Sequence, residues 1–331
     1  MKKMNRATRG MMLAAVTALT LCAAPVQAQE SVAAYPTKSI RVVVGYPPGT
    51  GTDLITRMVG ERFQQKWGHG FVVDNRAGAS GHIATEAVFK APPDGYTLLA
   101  VPPAFATTPH MFATLPFDPD AFVPITVMAS QANVLMVPPG RQPNVRSLAD
   151  LIALARANPD TLYYGSSGNG GSSHLSTELF KTLAGNLRVT HVPYKGGAVM
   201  AALLGGEVDF GVFTLGAALP HLKSGKLRPL AVGGDRRDAG LPDVPTMAEV
   251  LPGLVSTAWF ALLAPPHTPP ELVAKINGAA VEALRHPDSQ KRLAGLIADT
   301  IANSPAEATA FIAEEKARWG KVIRAANVKA E

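Results

Sequence analysis

The run Val42-Val43-Val44 leads into Gly45-Tyr46-Pro47-Pro48-Gly49-Thr50-Gly51-Thr52-Asp53, and this junction constrains the chain more than any other stretch. Three consecutive β-branched residues favour a strand, Pro47 and Pro48 cannot extend its ladder, and the glycines with Thr and Asp mark a turn into a helix. Strand, glycine loop and helix in that order form the repeating unit of α/β folds. Bare backbone amides beside the positive end of a helix also favour an anion, so the junction predicts a site for a carboxylate or phosphate. The dinucleotide fingerprint fails because its last glycine would fall on Leu54, and a phosphate-binding P-loop fails for want of a Gly-Lys-Ser/Thr end. An ordinary turn with Thr52 or Asp53 as N-cap uses the same residues, and this segment alone leaves both readings open.

Short β-branched runs alternate with helical patterns through the rest of the chain, which predicts parallel sheets with crossover helices. The strands expected are Ile40–Tyr46, Phe71–Asp74, Thr97–Val101, Asn133–Val137, Leu162–Ser166, Arg188–Val192, Val208–Val212, Leu230–Val232 and Trp259–Leu263. Helix starts are expected at Ser147-Leu148-Ala149-Asp150, at Thr268-Pro269-Pro270-Glu271 and at Ser304-Pro305-Ala306-Glu307. The last of these helices places Ala308, Phe311, Ile312, Trp319, Val322 and Ile323 on one face, a core stripe. Proline-rich connections at Pro116–Pro124 and Pro138–Pro143 bracket one expected crossing between domains, and Leu251–Trp259 is the expected return.

Lys2, Lys3, Arg6 and Arg9, then an apolar run from Met11 to Ala24 and a small-residue site at Val26-Gln27-Ala28, predict a signal peptide over residues 1–28 and export. Cys22, the single cysteine, falls inside it behind Leu21, where a lipoprotein signal would carry a small residue. The mature chain is therefore expected to lack disulfides, thiol chemistry and cysteine-held zinc. Removing the four leader cations from the 31 Lys and Arg leaves 27 against 25 acidic residues, a net charge of +2. So slight an excess, without basic runs, gives no support to nucleic-acid binding.

Asn75-Arg76-Ala77-Gly78-Ala79-Ser80-Gly81 and Tyr164-Gly165-Ser166-Ser167-Gly168-Asn169-Gly170-Gly171-Ser172-Ser173-His174 repeat the strand, small-residue loop and helix order, and such loops gather at the carboxyl edge of an open sheet. His174 has no second ligand at metal spacing and reads as a capping or packing residue, so no metal or cofactor is expected. Asp209 reads as an acceptor of backbone amides, and Lys195 as a solvated or ion-paired lysine. A hydrolase would need G-x-S-x-G, yet the loops around Ser166 and Ser80 end in Asn169 and His82.

Tyr35-Pro36-Thr37-Lys38-Ser39-Ile40-Arg41, the Pro-Pro-Gly-x-Gly-Thr-Asp loop, Asn75-Arg76-x-Gly78-Ala79, Pro93-Asp94-Gly95-Tyr96-Thr97-Leu98-Leu99, Tyr164-Gly165-Ser166, His191-Val192-Pro193-Tyr194-Lys195-Gly196, Leu219-Pro220-His221 and Leu241-Pro242-Asp243-Val244-Pro245-Thr246 succeed one another along essentially the whole mature chain. Together they closely resemble the Bug family of periplasmic solute-binding receptors of tripartite tricarboxylate transporters. The resemblance implies an α/β, two-domain periplasmic binding protein of type II, a Venus flytrap in which each domain is a sheet flanked by helices. Residues 29–130 and 255–331 would form one domain and 131–254 the other. It further implies a monomeric, non-enzymatic receptor that delivers a small mono- or dicarboxylate to membrane transporter subunits, or, alternatively, presents it to a two-component sensor kinase. The family's ligand contacts map to Pro48, Gly49, Thr50 and Thr52, to Ala79 and Ser80, and to Ser166, Gly168, Asn169, Gly170 and Ser172. Two departures stand out: Thr50 replaces a usual glycine, and Phe213 replaces a usual Asp or Asn at the distal end of the ligand. With Phe105 and Tyr46 as neighbours, Phe213 would favour an apolar or aromatic acid.

Overall fold

The computed structural model describes residues 31–194 and 197–329. The leader expected over 1–28, and Lys195 with Gly196, lie outside the described residues. Residues 31–35 make a turn in which the Ala34 amide donates to the Ser31 carbonyl, and the strands and helices of the fold begin beyond it, at Ile40. Among the described residues there are ten strands: β1 Ile40–Val44, β2 Phe71–Asn75, β3 Thr97–Val101, β4 Val123–Val137, β5 Tyr163–Ser166, β6 Thr190–Pro193, β7 Phe210–Thr214, β8 Arg228–Val232, β9 Thr257–Ala264 and β10 Asp299–Thr300. The helices are α1 Gly51–Trp67, α2 His82–Phe89, α3 Ala104–Met111, α4 Leu148–Ala157, α5 Ser172–Leu183, α6 Ala198–Gly205, α7 Leu215–Lys223, α8 Met247–Val250, α9 Pro270–Arg285, α10 Pro287–Gly295 and α11 Pro305–Ala325.

The sheet runs β2-β1-β3-β9-β4-β7-β5-β6, with β8 and β10 also paired to β4. Parallel pairing joins β2, β1 and β3 on one side and β7, β5 and β6 on the other, as the alternating pattern predicts. Between them β9 and β4 are antiparallel to their neighbours, so the sheet is mixed rather than purely parallel. The expected strand Asn133–Val137 is only the last third of β4. Pro124 hid the beginning, because proline cannot serve a regular central ladder; here it stands at a register shift between Pro124 and Thr126. The segment between the two proline-rich connections is thus this one long strand, which pairs with β9 through Ala132 and with β7 from Asn133 on.

Alternation along β4 explains why the second half is buried on both faces. Val134 and Met136 join a core with Leu203, Leu215 and Val232, whereas Leu135 and Val137 join another with Leu148, Tyr164, Phe180 and Phe210. A third core gathers Val43, Leu99, Phe105, Trp259 and Leu263 around the first strands. The stripe expected on α11 is divided between two of these: Ala308 and Ile312 pack into the last, Trp319, Val322 and Ile323 into the Leu135 core. Where the helix passes from one to the other, buried Glu315 accepts the indole N–H of Trp259 and of Trp319, each at 2.9 Å, and pairs with Arg318 at 2.7 Å.

Capping boxes form at Ser147/Asp150 and Ser304/Glu307 as predicted, and also at Thr246/Glu249. Thr268 does not cap α9. Pro270 forces Pro269 out of the helical region, so the helix opens at the second proline and the Thr268 hydroxyl donates to the Pro265 carbonyl.

Candidate ligand-binding site

The loop between β1 and α1 is closed on itself. The N-cap is Thr50, not Thr52 or Asp53, and its hydroxyl donates to the Pro47 carbonyl at 3.0 Å instead of capping. The helix starts a turn early because Asp53, third in the helix, reaches back to accept the Gly49 amide at 2.9 Å. Asp53 is buried, and its carboxylate also receives Arg57 Nε and Asn75 Nδ2. Burial opposes its charge, but the hydrogen bonds from Arg57, the Gly49 amide and Asn75 outweigh that and hold its carboxyl below the ordinary range. A carboxylate of the protein's own therefore occupies the positive end of α1. Pro48 and Gly49 are exposed, and Thr52 is buried with its carbonyl accepting the Thr56 hydroxyl.

Asn75 ties this loop to the next by donating to the Tyr46 carbonyl at 3.0 Å. The two backbones touch: a Cβ on Gly45 would lie 2.7 Å from Gly81 Cα. Ala79 and Ser80 adopt left-handed φ values of 44° and 54°, a conformation that costs a non-glycine residue on the order of 1 kcal/mol or more. The Tyr46 hydroxyl fixes the turn by donating to the Ser80 carbonyl at 3.1 Å. Burial pushes that phenol upward in pKa, so it stays a neutral donor.

Across from these residues, the loop between β5 and α5 is built differently. Its helix is capped by Gly171 without a side-chain hydrogen bond, and no acidic residue stands in its first turn. The first-turn amides of such a helix have no helical acceptor, so they face outward with the positive end of the dipole uncompensated. Beneath the loop Ser166, fully buried, meets His191 Nε2 at 2.6 Å and accepts the Gly168 amide at 3.2 Å. Tyr164 and Ser166 are two residues apart on β5 and share its inward face, which is why the hydroxyl supports the loop rather than facing a ligand. His174 Nδ1 accepts the Gly170 amide at 3.0 Å, the capping role expected of it. Its ring stacks on His191 with centroids 3.9 Å apart, and burial lowers both imidazoles to about 4, leaving them neutral.

Between the two walls lies a cavity of about 330 Å³, within the size range of small-molecule sites. One wall is Tyr46, Ser80, Pro102, Pro103, Ala104, Thr107, Thr108, Met111 and Phe112, and the other is Ser167 to Ser172. Of the residues predicted from sequence, Tyr46, Ser80, Gly168, Asn169, Gly170 and Ser172 come together here; Pro48, Gly49, Thr50, Thr52, Ala79, Ser166 and Phe213 do not line it. Apart from the Tyr46 phenol, the lining holds no titratable side chain. A narrow annex of about 20 Å³ adjoins it at Tyr46, Ser80 and Thr108, and includes His82, Phe105 and Phe117.

Of the expected aromatic cluster, Tyr46 and Phe105 meet at the annex, and Phe213 does not join them. Phe213 stands opposite Val134 on β7 and packs with the Val134 and Leu215 core, while Phe105 packs edge-on against Phe122. Asp209 accepts the Tyr163 amide at 2.7 Å and Arg141 Nε at 2.6 Å, the loop-orienting role its position predicts. Sequence reasoning missed Thr107, Thr108 and Met111; the signal was a pair of threonines inside a short helix directly after the Pro102-Pro103 turn. Among the described residues no group of His, Cys, Asp and Glu is arranged to hold a metal, and no helix is long and apolar enough to cross a membrane.

Residues 55–328 match the tripartite tricarboxylate transporter family receptor. The chain is 34% identical to BugT of Bordetella pertussis over 322 residues, 96% of this chain and 98% of that one. Among solved structures it resembles R. palustris Rpa4515 with adipate, at 37% identity and a TM-score of 0.79 over 89% of this chain and 99% of that one. It also resembles MatC from Rhodopseudomonas palustris with bound malate, at 30% identity and a TM-score of 0.76 over 87% of this chain and all of that one. With its curled mixed sheet, its glycine-loop cavity and these matches, the chain belongs to the tripartite tricarboxylate transporter receptors, the Bug family of periplasmic solute-binding proteins.

Proposed function

We propose that this protein is a periplasmic receptor, exported by the segment 1–28, that captures a small mono- or dicarboxylate in the cavity between Tyr46–Ser80 and Ser167–Ser172 and delivers it to the membrane subunits of its transporter. The observation that carries the reading is the uncompensated N-terminus of α5 opening onto a cavity walled by amides, hydroxyls and apolar groups. An anion there gains backbone hydrogen bonds and the helix dipole without a cationic side chain, so affinity depends on geometry more than on net charge. Pro102, Pro103, Met111 and Phe112 suit the alkyl body of an aliphatic diacid, and adipate and malate in the related structures support that class. The chain acts as a monomer and catalyses nothing; Ser166, which meets His191, is fully buried, as befits a structural serine and not a nucleophile. Residues 29–130 with 255–331 would form one lobe and 131–254 the other, closing about their crossings.

Calorimetric titration with adipate, malate and benzoate tests this reading. Micromolar binding of an aliphatic diacid, worth about 8 kcal/mol, is expected. Stabilisation by amines or sugars and by none of the acids would refute it.

A further inference from the structure

We infer that His174 is a positioning residue of the receptor site: through its Nδ1 acceptor it fixes the Gly170 peptide, and with it the direction of the amides that meet a carboxylate. This rests on the receptor reading above. His174 is buried and does not line the cavity, so any influence on a ligand passes through the loop.

The Gly170 peptide is held on three sides. Its N–H donates to His174 Nδ1 at 3.0 Å, and its carbonyl lies 3.4 Å from the Thr107 hydroxyl of the opposite wall, which it shares with the Ala104 carbonyl at 3.1 Å. Its Cα faces Met111, whose Sδ would lie 2.1 Å from any Cβ, and its φ of +71° is one that glycine adopts at least cost. The next two residues are the N-cap Gly171 and the first helical residue, Ser172. A rotation at Gly170 therefore redirects the amides at the mouth of α5.

The chemistry fixes the tautomer. A backbone N–H only donates, so Nδ1 bears the lone pair and the proton sits on Nε2, 4.0 Å from Glu178 Oε1. The neighbouring groups leave that state undisturbed. Glu178 is occupied by the Tyr164 hydroxyl and by Lys181, β6 contributes His191 in the stack, β7 brings no titratable side chain, and α11 carries Glu315 and Arg318 paired to each other. His191 does for Gly168, through Ser166, what His174 does for Gly170. Two stacked imidazoles thus hold two glycines of one loop.

Two variants separate hydrogen bonding from packing. His174→Asn places Oδ1 where Nδ1 was and keeps an acceptor; His174→Leu fills similar space without one. In calorimetric titration with adipate, the Asn variant should bind within about threefold of the parent and the Leu variant about tenfold or more weaker, because the loop amides are no longer held in the direction that meets the carboxylate. In the ligand-free protein, the Gly170 amide should stay protected from hydrogen exchange in the parent and Asn variant and lose protection in the Leu variant. Nitrogen NMR of the parent should show His174 protonated at Nε2, a readout that survives if the Leu variant does not fold. Equal adipate binding by parent and Leu variant, equal losses in two folded variants, or a proton on Nδ1 would overturn the inference. If the parent binds neither adipate nor malate, the receptor reading fails for these acids, while Gly170 exchange and the tautomer still judge the hold of His174 on the loop.

Discussion

The loops before α1 and α5 share one sequence grammar, a strand, small residues and a helix start, yet they have opposite electrostatic fates. At Gly49–Thr52 the helix carries Asp53 in its first turn, and that carboxylate takes the Gly49 amide, Arg57 and Asn75. At Gly168–Ser172 the first turn is Ser172-Ser173-His174, with no acid: a neutral imidazole, His174, takes the Gly170 amide where Asp53 takes that of Gly49. In the reading proposed above, the first loop supplies its own anion, and the second leaves its helix end to an outside one. A glycine loop before a helix therefore defines a geometry that fits an anion, and the third residue of the helix decides whether the anion comes from the chain or from solution.

The sharpest way to break the comparison is to place an acid in the first turn of α5, as α1 has one in its own. Ser172→Asp puts a carboxylate at the cavity face of that helix, where repulsion of a bound carboxylate is poorly screened. Adipate affinity should fall by about a hundredfold or more, roughly 2.7 kcal/mol, with melting unchanged because Asp is well accepted in a first turn. Undiminished binding by calorimetry would place the anion elsewhere.

Removing the internal anion is the converse. Asp53→Asn leaves Arg57 with Asn75 but without its charge partner, and the Gly49 amide with a weaker acceptor, so the protein should lose about 1–3 kcal/mol of stability. Urea denaturation measures that loss, and adipate affinity should change little once the variant is folded.

The stacked histidines make the second loop's support sensitive to pH. Both have folded pKa values lowered to about 4 from 6.5, so between those values the unfolded chain binds protons that the folded chain refuses. Stability contributed by the neutral pair is fully present above pH 6.5 and is lost as pH falls toward 4. Thermal melting across that window should show the decline, and His174→Asn should flatten it by roughly half. A melting temperature independent of pH there would mean that the pair is not held neutral.

The smallest effect is expected at Thr50, whose hydroxyl meets only the Pro47 carbonyl at an exposed turn. Thr50→Gly should cost a few tenths of a kcal/mol at most, since glycine is tolerated at an N-cap, and should leave binding intact. A tenfold loss of adipate affinity would return the first loop to the site.

How much could be read in advance depends on the range of the interactions. The capping boxes at Ser147 and Ser304 and the stripe on α11 were legible because they depend on residues three or four apart. The glycine loops were legible too, and six of the site residues predicted from them do line one cavity. The closure of the first loop went unread although Gly49 and Arg57 each stand four residues from Asp53; only its tie to Asn75, far along the chain on β2, is beyond any local pattern. Nor was the wall of Thr107 and Met111 against Gly170, a contact between segments that no local pattern joins. Phe213 misled for the related reason that a strand residue has two faces, and only the neighbouring strands β4 and β7 determine which one is core.

The central claim is that a carboxylate sits at α5 and not at α1, and a crystal structure with adipate tests it most directly. A carboxylate oxygen within about 3 Å of the first-turn amides of α5, with the Asp53 to Gly49 bond intact, is the predicted result. A carboxylate seated on the Gly49 and Thr50 amides, with Asp53 displaced, would contradict the account.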